Sequence, residues 1–155
     1  MSKTAFTPIF TALVAATGVT VATAQSSLAQ NQESVSFLCQ DNGIHPVTKA
    51  PTPVTIARGP IGEIPVIYWT STMGGLTPKE RCEQVSNKFD MLHKKGALEY
   101  ITYGYIDGQP VICTAKNSGS DCEEELLTLS SQDNPREVLN TLLGVKNLGS
   151  PALLI

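Results

Sequence analysis

The chain has 155 residues, 16% of them charged, and a formal net charge of −3. That length suits one domain with a single core, and the low charge argues against a self-repelling disordered chain. The basic residues stand singly or in the pair Lys94-Lys95. Nucleic acid is therefore not an expected partner, because phosphate neutralisation needs clustered cations.

The N-terminus opens with Lys3, and Ala5 to Ala24 then carries no charge. Small and apolar residues fill this stretch, and Ala22 and Ala24 are suitably small before a cut after position 24, with Ala29 marking an alternative cut. This pattern predicts a secretory signal over 1–24. An uncleaved membrane anchor is the rival reading, weakened by the Thr and Gly content. Residues 25–33 are polar and Gln/Ser-rich, a flexible tether, and a single domain is expected over 34–147. Its four cysteines, Cys39, Cys82, Cys113 and Cys122, include no C-x-x-C pair. In an exported chain this predicts two disulfides rather than zinc. Cys113 and Cys122 flank a Gly/Ser turn that can fold back, which favours that pair and leaves Cys39 for Cys82. Crossed pairings stay open.

Val35 to Cys39 alternates as a short strand, and Asp41 to Pro53, with three prolines, reads as a loop. Strands follow at Val54–Arg58, stopped by Gly59-Pro60, and at Ile64–Thr70, rich in β-branched and aromatic residues. Thr77-Pro78-Lys79-Glu80 is a capping box with proline in the first turn. Cys82, Val85, Phe89 and Leu92 make the helix's apolar stripe, and Gly96 ends it. Leu98–Ile106 and Gln109–Ala115 form a hairpin across Asp107-Gly108, a type I′ turn. In that register Tyr105 faces Pro110, so that end of the proline strand is expected at an edge or unpaired. The helix is expected on the hairpin face of Tyr100, Gly104, Val111 and Cys113, where Gly104 leaves room.

Glu125–Leu129 is a last strand. Asn134 caps a second helix with Pro135 in its first turn; Val138, Leu139, Leu142 and Leu143 form its stripe, and Gly144 is expected to close it. The tail 148–155 is apolar and either docks on the domain or meets a partner. The sum is an α+β domain: a small antiparallel sheet with two helices packed on one face, stapled by two disulfides.

Several motifs recur in a familiar order. They are Phe37-x-Cys39, Arg58-Gly59, Val66-Ile67-x-Trp69, Thr77-Pro78-x-x-Arg81-Cys82-x-x-Val85-Ser86-x-x-Phe89, and Leu98-x-Tyr100-Ile101-Thr102-x-Gly104. Gln109-Pro110-Val111-Ile112-Cys113 follows, then Cys122 with Leu126-Leu127-Thr128-Leu129. Over about residues 35–145 the chain resembles the circadian oscillating polypeptide domain of cyanobacteria. The resemblance implies an exported or membrane-associated cyanobacterial protein, with clock-controlled abundance in some relatives. It carries over no reaction, cofactor or catalytic residue.

The chemistry-bearing residues are few. His45, beside Asp41, and His93 lie in no metal-ligand spacing. No G-x-S-x-G elbow is present, and oxidised cysteines supply no thiolate nucleophile. The acidic run Asp121 to Glu125 lacks the alternation and glycine of a calcium loop and reads as a solvated edge. Arg58 and Arg81 are candidate anion-binding residues. For Arg81 the competing structural role is an ion pair with a carboxylate such as Glu63, or a bond to a backbone carbonyl. Trp69, Tyr103 and Tyr105, with Tyr68, are candidates for an aromatic recognition patch, against core packing. These features point to a cofactor-free, non-enzymatic binding domain outside the cytoplasm, with a protein or envelope partner or peripheral membrane association. A hydrolase or other enzyme assembled from scattered residues such as His45, Asp41 and Arg81 is the alternative.

Overall fold

The computed structural model describes residues 35–147 and 151–155. The signal segment, the tether and the first three residues of the tail lie outside the described residues.

Strands β1 (Ser36–Ile44), β2 (Pro51–Gly59) and β3 (Gly62–Tyr68) form an antiparallel meander. The β1 strand runs past the expected end into the segment assigned above to a loop. An irregularity between Gln40 and Gly43 lets the pairing resume at Gly43–Thr52. Only glycine fits there, since a Cβ on Gly43 would lie 2.3 Å from Val54 Cγ1. A second irregularity leaves Val66 without a partner on β2, and Val66 and Ile67 both enter the core.

Helix α1 (Pro78–Lys94) starts on the expected capping box. Thr77 Oγ1 accepts from Glu80 N–H, and Glu80 Oε2 accepts from Thr77 N–H at 2.8 Å. That backbone donor holds the Glu80 carboxyl below its ordinary pKa. Gly96, at φ 72°, follows the C-cap Lys95. The helix packs on β1 and β2, and Cys82 bonds Cys39 on β1. Its buried face is wider than the apolar stripe, taking in Arg81 and Ser86 as well.

The chain then builds β4 (Tyr100–Ile106), β5 (Gln109–Ala115) and β6 (Glu125–Thr128), and ends with α2 (Pro135–Lys146) and the short β7 (Leu153–Leu154). Asp107 and Gly108 take φ values of 51° and 78°, as the hairpin turn requires. Helix α2 runs through Gly144 to a C-cap at Asn147, so the expected stop at Gly144 is corrected: Val145 is buried, and its packing carries the helix on.

The expectation of one sheet is also corrected. There are two, with strand orders β1-β2-β3-β7 and β4-β5-β6. The long α1 separates the two meanders, and the open edge of β3 is taken by the C-terminal tail. Leu153 and Leu154 pair parallel with Ile67 and Tyr68, and Ile155 N–H donates to Tyr68 O at 3.0 Å. The tail therefore docks on the domain. The helices do not share one sheet face: α1 packs on the first sheet and α2 on β4 and β5.

The hairpin face chosen above for a helix is instead covered by sulfur. Cys113 bonds Cys122, and a Cβ on Gly104 would lie 3.2 Å from Cys122 Sγ. The opposite face contributes Ile101, Tyr103 and Ile112 to the main core, which also holds Trp69, Phe89, Leu127, Val138 and Leu142. Pro110 does not lie at a sheet edge, because β5 is the central strand of its sheet. No helix among the described residues is long and apolar enough to cross a membrane.

Candidate functional site

The arginines and aromatics singled out in the sequence are not brought to one place. Arg58, exposed near the end of β2, pairs with its cross-strand neighbour Glu63, Nη2 to Oε1 at 2.7 Å. Tyr103 is half-buried, and its hydroxyl accepts from Arg136 Nη2 at 2.7 Å. Tyr105 stands 64% exposed at the hairpin end.

Trp69 and Arg81 do meet, but inside the protein. The Trp69 ring is 1% exposed, and the Arg81 guanidinium lies 4.8 Å from its centroid, a cation–π contact. Arg81 Nη1 donates to Ser71 O at 2.8 Å and to Ser71 Oγ at 3.2 Å. Burial lowers the Arg81 pKa, against a smaller opposing effect of Asp133. Trp69 Nε1 donates to Thr55 Oγ1, which exchanges a hydrogen bond with Ser86 Oγ, both at 2.9 Å. Thus the Arg-Cys-x-x-Val-Ser pattern of α1 joins the helix to the first sheet through a disulfide and a hydroxyl, and to the segment just after β3 through a guanidinium. The partner of Arg81 is the Ser71 carbonyl, and Glu63 is engaged by Arg58. Tyr68 is buried as well, so the aromatic patch does not form.

The two histidines are apart. His45 is buried; its Nδ1 accepts from Val47 and Thr48 N–H at 3.2 and 3.1 Å, and its ring packs edge-on against Tyr68. It caps its own turn. Asp41 pairs with Lys79 on α1.

The feature that sequence reasoning missed is a cavity of about 340 Å³. The core-facing row of the first sheet runs through Phe37 on β1, Ala57 and Gly59 on β2, and Ile64 and Val66 on β3. Helix α1 covers part of this row, with Phe37 and Phe89 rings 5.3 Å apart, and ends at Lys94. Beyond it the sheet continues, and Ala57 and Gly59, on the central strand, project too little to fill the space. Leu98, Ile101, Leu142 and Val145 form the opposing wall, and Ile61, 75% exposed, marks the rim.

The lining is almost wholly apolar. Among the described residues that form it, only His93 and Lys146 carry ionisable groups, and both are basic. His93 meets Phe37 edge-on at 5.7 Å. Lys146 Nζ donates to the Glu99 carbonyl at 3.0 Å, a contact an incoming anion can displace. Size and lining suit a small-molecule pocket: enclosing apolar walls with few, localised polar groups. A second hollow, about 120 Å³, lies beside Trp69, Arg81, Lys88 and Glu125, with opposite charges on its walls. The Arg81 donors described above are already engaged there.

The signal for the cavity was present but unreadable without register. Ala57, Gly59 and Gly62 are small residues in an otherwise bulky meander, and only the pairing of Ala57 with Phe37 and Ile64 shows that they share one hollow.

The family model described as circadian oscillating protein COP23 matches residues 36–153. No curated protein and no solved structure matches the chain.

Proposed function

The chain belongs to the circadian oscillating protein COP23 family, and we propose that it is an exported, non-enzymatic binding domain whose cavity holds a ligand with an apolar chain and an anionic head. The apolar cavity carries this reading. Hydrocarbon enters such a space with a gain of about 0.8 kcal/mol per buried methylene. The two basic groups at its lining offer a place for a carboxylate, sulfonate or phosphate head.

Export is supported by the two disulfides, which form and persist in oxidising compartments, and by the signal-like segment 1–24. On this reading the protein works in the periplasm, thylakoid lumen or envelope of a cyanobacterium. It meets an envelope partner or the membrane surface peripherally, and its abundance follows the clock, as the family's description suggests. Fractionation of the native host tests the compartment: a processed form outside the cytoplasm is expected, and a full-length cytosolic protein contradicts export.

Binding is tested with 1-anilinonaphthalene-8-sulfonate, which joins apolar rings to one anionic group. Its fluorescence is expected to rise and saturate with one site on the folded protein. Ala57→Phe places a ring in the hollow and should abolish that site without lowering the melting temperature, since it fills a void rather than crowding a packed core. Unchanged probe binding in Ala57→Phe would contradict the assignment.

A further inference from the structure

The three-stranded sheet ends on β4, which has a neighbour on one side only. Strand parity decides which of its backbone groups are left over. The Pro110 carbonyl accepts from Leu129, and Thr114 exchanges bonds with Glu123 and Glu124. The even-numbered residues of β5 therefore face β6, and the odd-numbered ones face β4. Pairs such as Gly104 with Val111 and Thr102 with Cys113 then use the even-numbered residues of β4. Ile101, Tyr103 and Tyr105 aim their N–H and C=O groups out of the sheet. Among the described residues these groups have no backbone partner.

We infer that β4 pairs antiparallel with β4 of a second copy of this chain, about a two-fold axis at Tyr103, so that the two small sheets become one. The strand reads Tyr100-Ile101-Thr102-Tyr103-Gly104-Tyr105-Ile106 and is close to self-complementary about its centre. Tyr100 meets the partner's Ile106, Ile101 meets the partner's Tyr105, and Thr102 meets the partner's Gly104. Each end thus forms an aromatic pair with a β-branched residue, a favourable cross-strand combination. Odd-numbered residues pair with odd-numbered ones, so all the outward groups of Ile101, Tyr103 and Tyr105 are satisfied at once. A shift of one residue would satisfy none of them.

Burial points the same way. Tyr100, Tyr105 and Ile106 are 38%, 64% and 43% exposed, and pairing covers all three. The strand carries none of the charges or prolines that blunt a solitary edge. Helix α2 packs against both β4 and β5 on one face. The symmetry of the strand selects a second copy over a foreign peptide. Just past the ladder's ends, Glu99 faces the partner's Asp107, a like-charge pair, so association strengthens as salt rises. The inference rests on the backbone edge of β4 and not on a ligand in the cavity, to whose wall β4 contributes Ile101.

Sedimentation of the purified protein at about 100 μM, far above a Kd of about 1 μM, should show a dimer that dissociates on dilution. Tyr105→Lys, at an exposed site, should be monomeric at the same concentration, with the melting temperature that wild type shows when diluted well below that Kd. Tyr103→Cys should give a dimer covalently linked at that position, because directly opposed hydrogen-bonded residues lie about 5.5 Å apart at Cα, within disulfide reach. A wild-type monomer at that concentration, or a dimer that Tyr105→Lys leaves intact, overturns the interface. A Tyr103→Cys dimer that stays unlinked under oxidation overturns the two-fold axis.

Discussion

The Gln109 side-chain amide donates to the Leu129 carbonyl at 2.7 Å, in the place of a backbone donor that Pro110 lacks. Pro110 stands opposite Leu129 in the β5–β6 ladder, and its carbonyl accepts from Leu129 N–H at 2.9 Å. The reciprocal bond of such a pair would need a Pro110 N–H. Gln109 supplies it from its side chain, which lets a proline sit in the central strand of a sheet. Gln109→Ala should cost about 1–2 kcal/mol in urea denaturation by leaving the Leu129 carbonyl unpaired. Adding Pro110→Ala, which restores the backbone donor, should recover part of that loss. Strictly additive costs would contradict the substitution of one donor for the other.

Thr55 sits between two partners, accepting from Trp69 Nε1 and bonding Ser86 Oγ. All three residues are almost completely buried. Thr55→Val should therefore cost about 2–3 kcal/mol, since it strands an indole N–H and a hydroxyl together. Ser86→Ala should cost about 1 kcal/mol, because Thr55 keeps Trp69. Equilibrium unfolding of the two variants should show that order.

The disulfides close loops of unequal length, with separations of 43 and 9 residues. The chain-entropy account assigns about 4 kcal/mol to Cys39–Cys82 and about 3 kcal/mol to Cys113–Cys122. Paired Cys→Ala variants of each bridge should rank in that order by denaturation midpoint. Each variant also leaves a cavity at one fully buried cysteine, Cys82 or Cys113, so loop length decides the ranking.

Asp90 links the helix to β1. Its carboxylate accepts from Lys94 Nζ and from Phe37 N–H at 3.1 Å, and these bonds hold its pKa below the ordinary value. A depressed carboxylate stabilises the fold above its unfolded pKa, near 3.9 for aspartate, and that contribution disappears as pH falls through the folded value. Wild type should therefore exceed Asp90→Asn in stability at neutral pH, and the difference should shrink on acidification below about pH 4. A difference that grows in acid would contradict the assignment.

Local grammar was legible in the sequence: the Thr77 capping box, the Asn134 cap, and the hairpin across Asp107-Gly108. What failed was the assembly of distant elements. Whether β4 extends the first sheet or starts another depends on who occupies the edge of β3, and that is settled by Leu153 and Leu154, far away in the chain. The hairpin face was misjudged because Gly104 signals only that something approaches closely. A helix and the Cys122 sulfur satisfy that signal equally well. For Arg81 the backbone-carbonyl alternative holds, but that the carbonyl belongs to Ser71, and that Ser86 meets Thr55, depends on neighbours only the fold brings near. The cavity was hidden for the same reason, since a void is a property of facing elements rather than of any one segment.

The most direct test of the binding reading is a calorimetric series of straight-chain carboxylates from eight to fourteen carbons. If the chain enters the cavity, affinity should rise about 15-fold for every two carbons, at about 0.8 kcal/mol per methylene, then level off when the space is full. Lys146→Met should weaken every member by a similar factor, and Ala57→Phe should remove the dependence on length. A series whose affinity is flat with chain length in the wild-type protein would contradict the account.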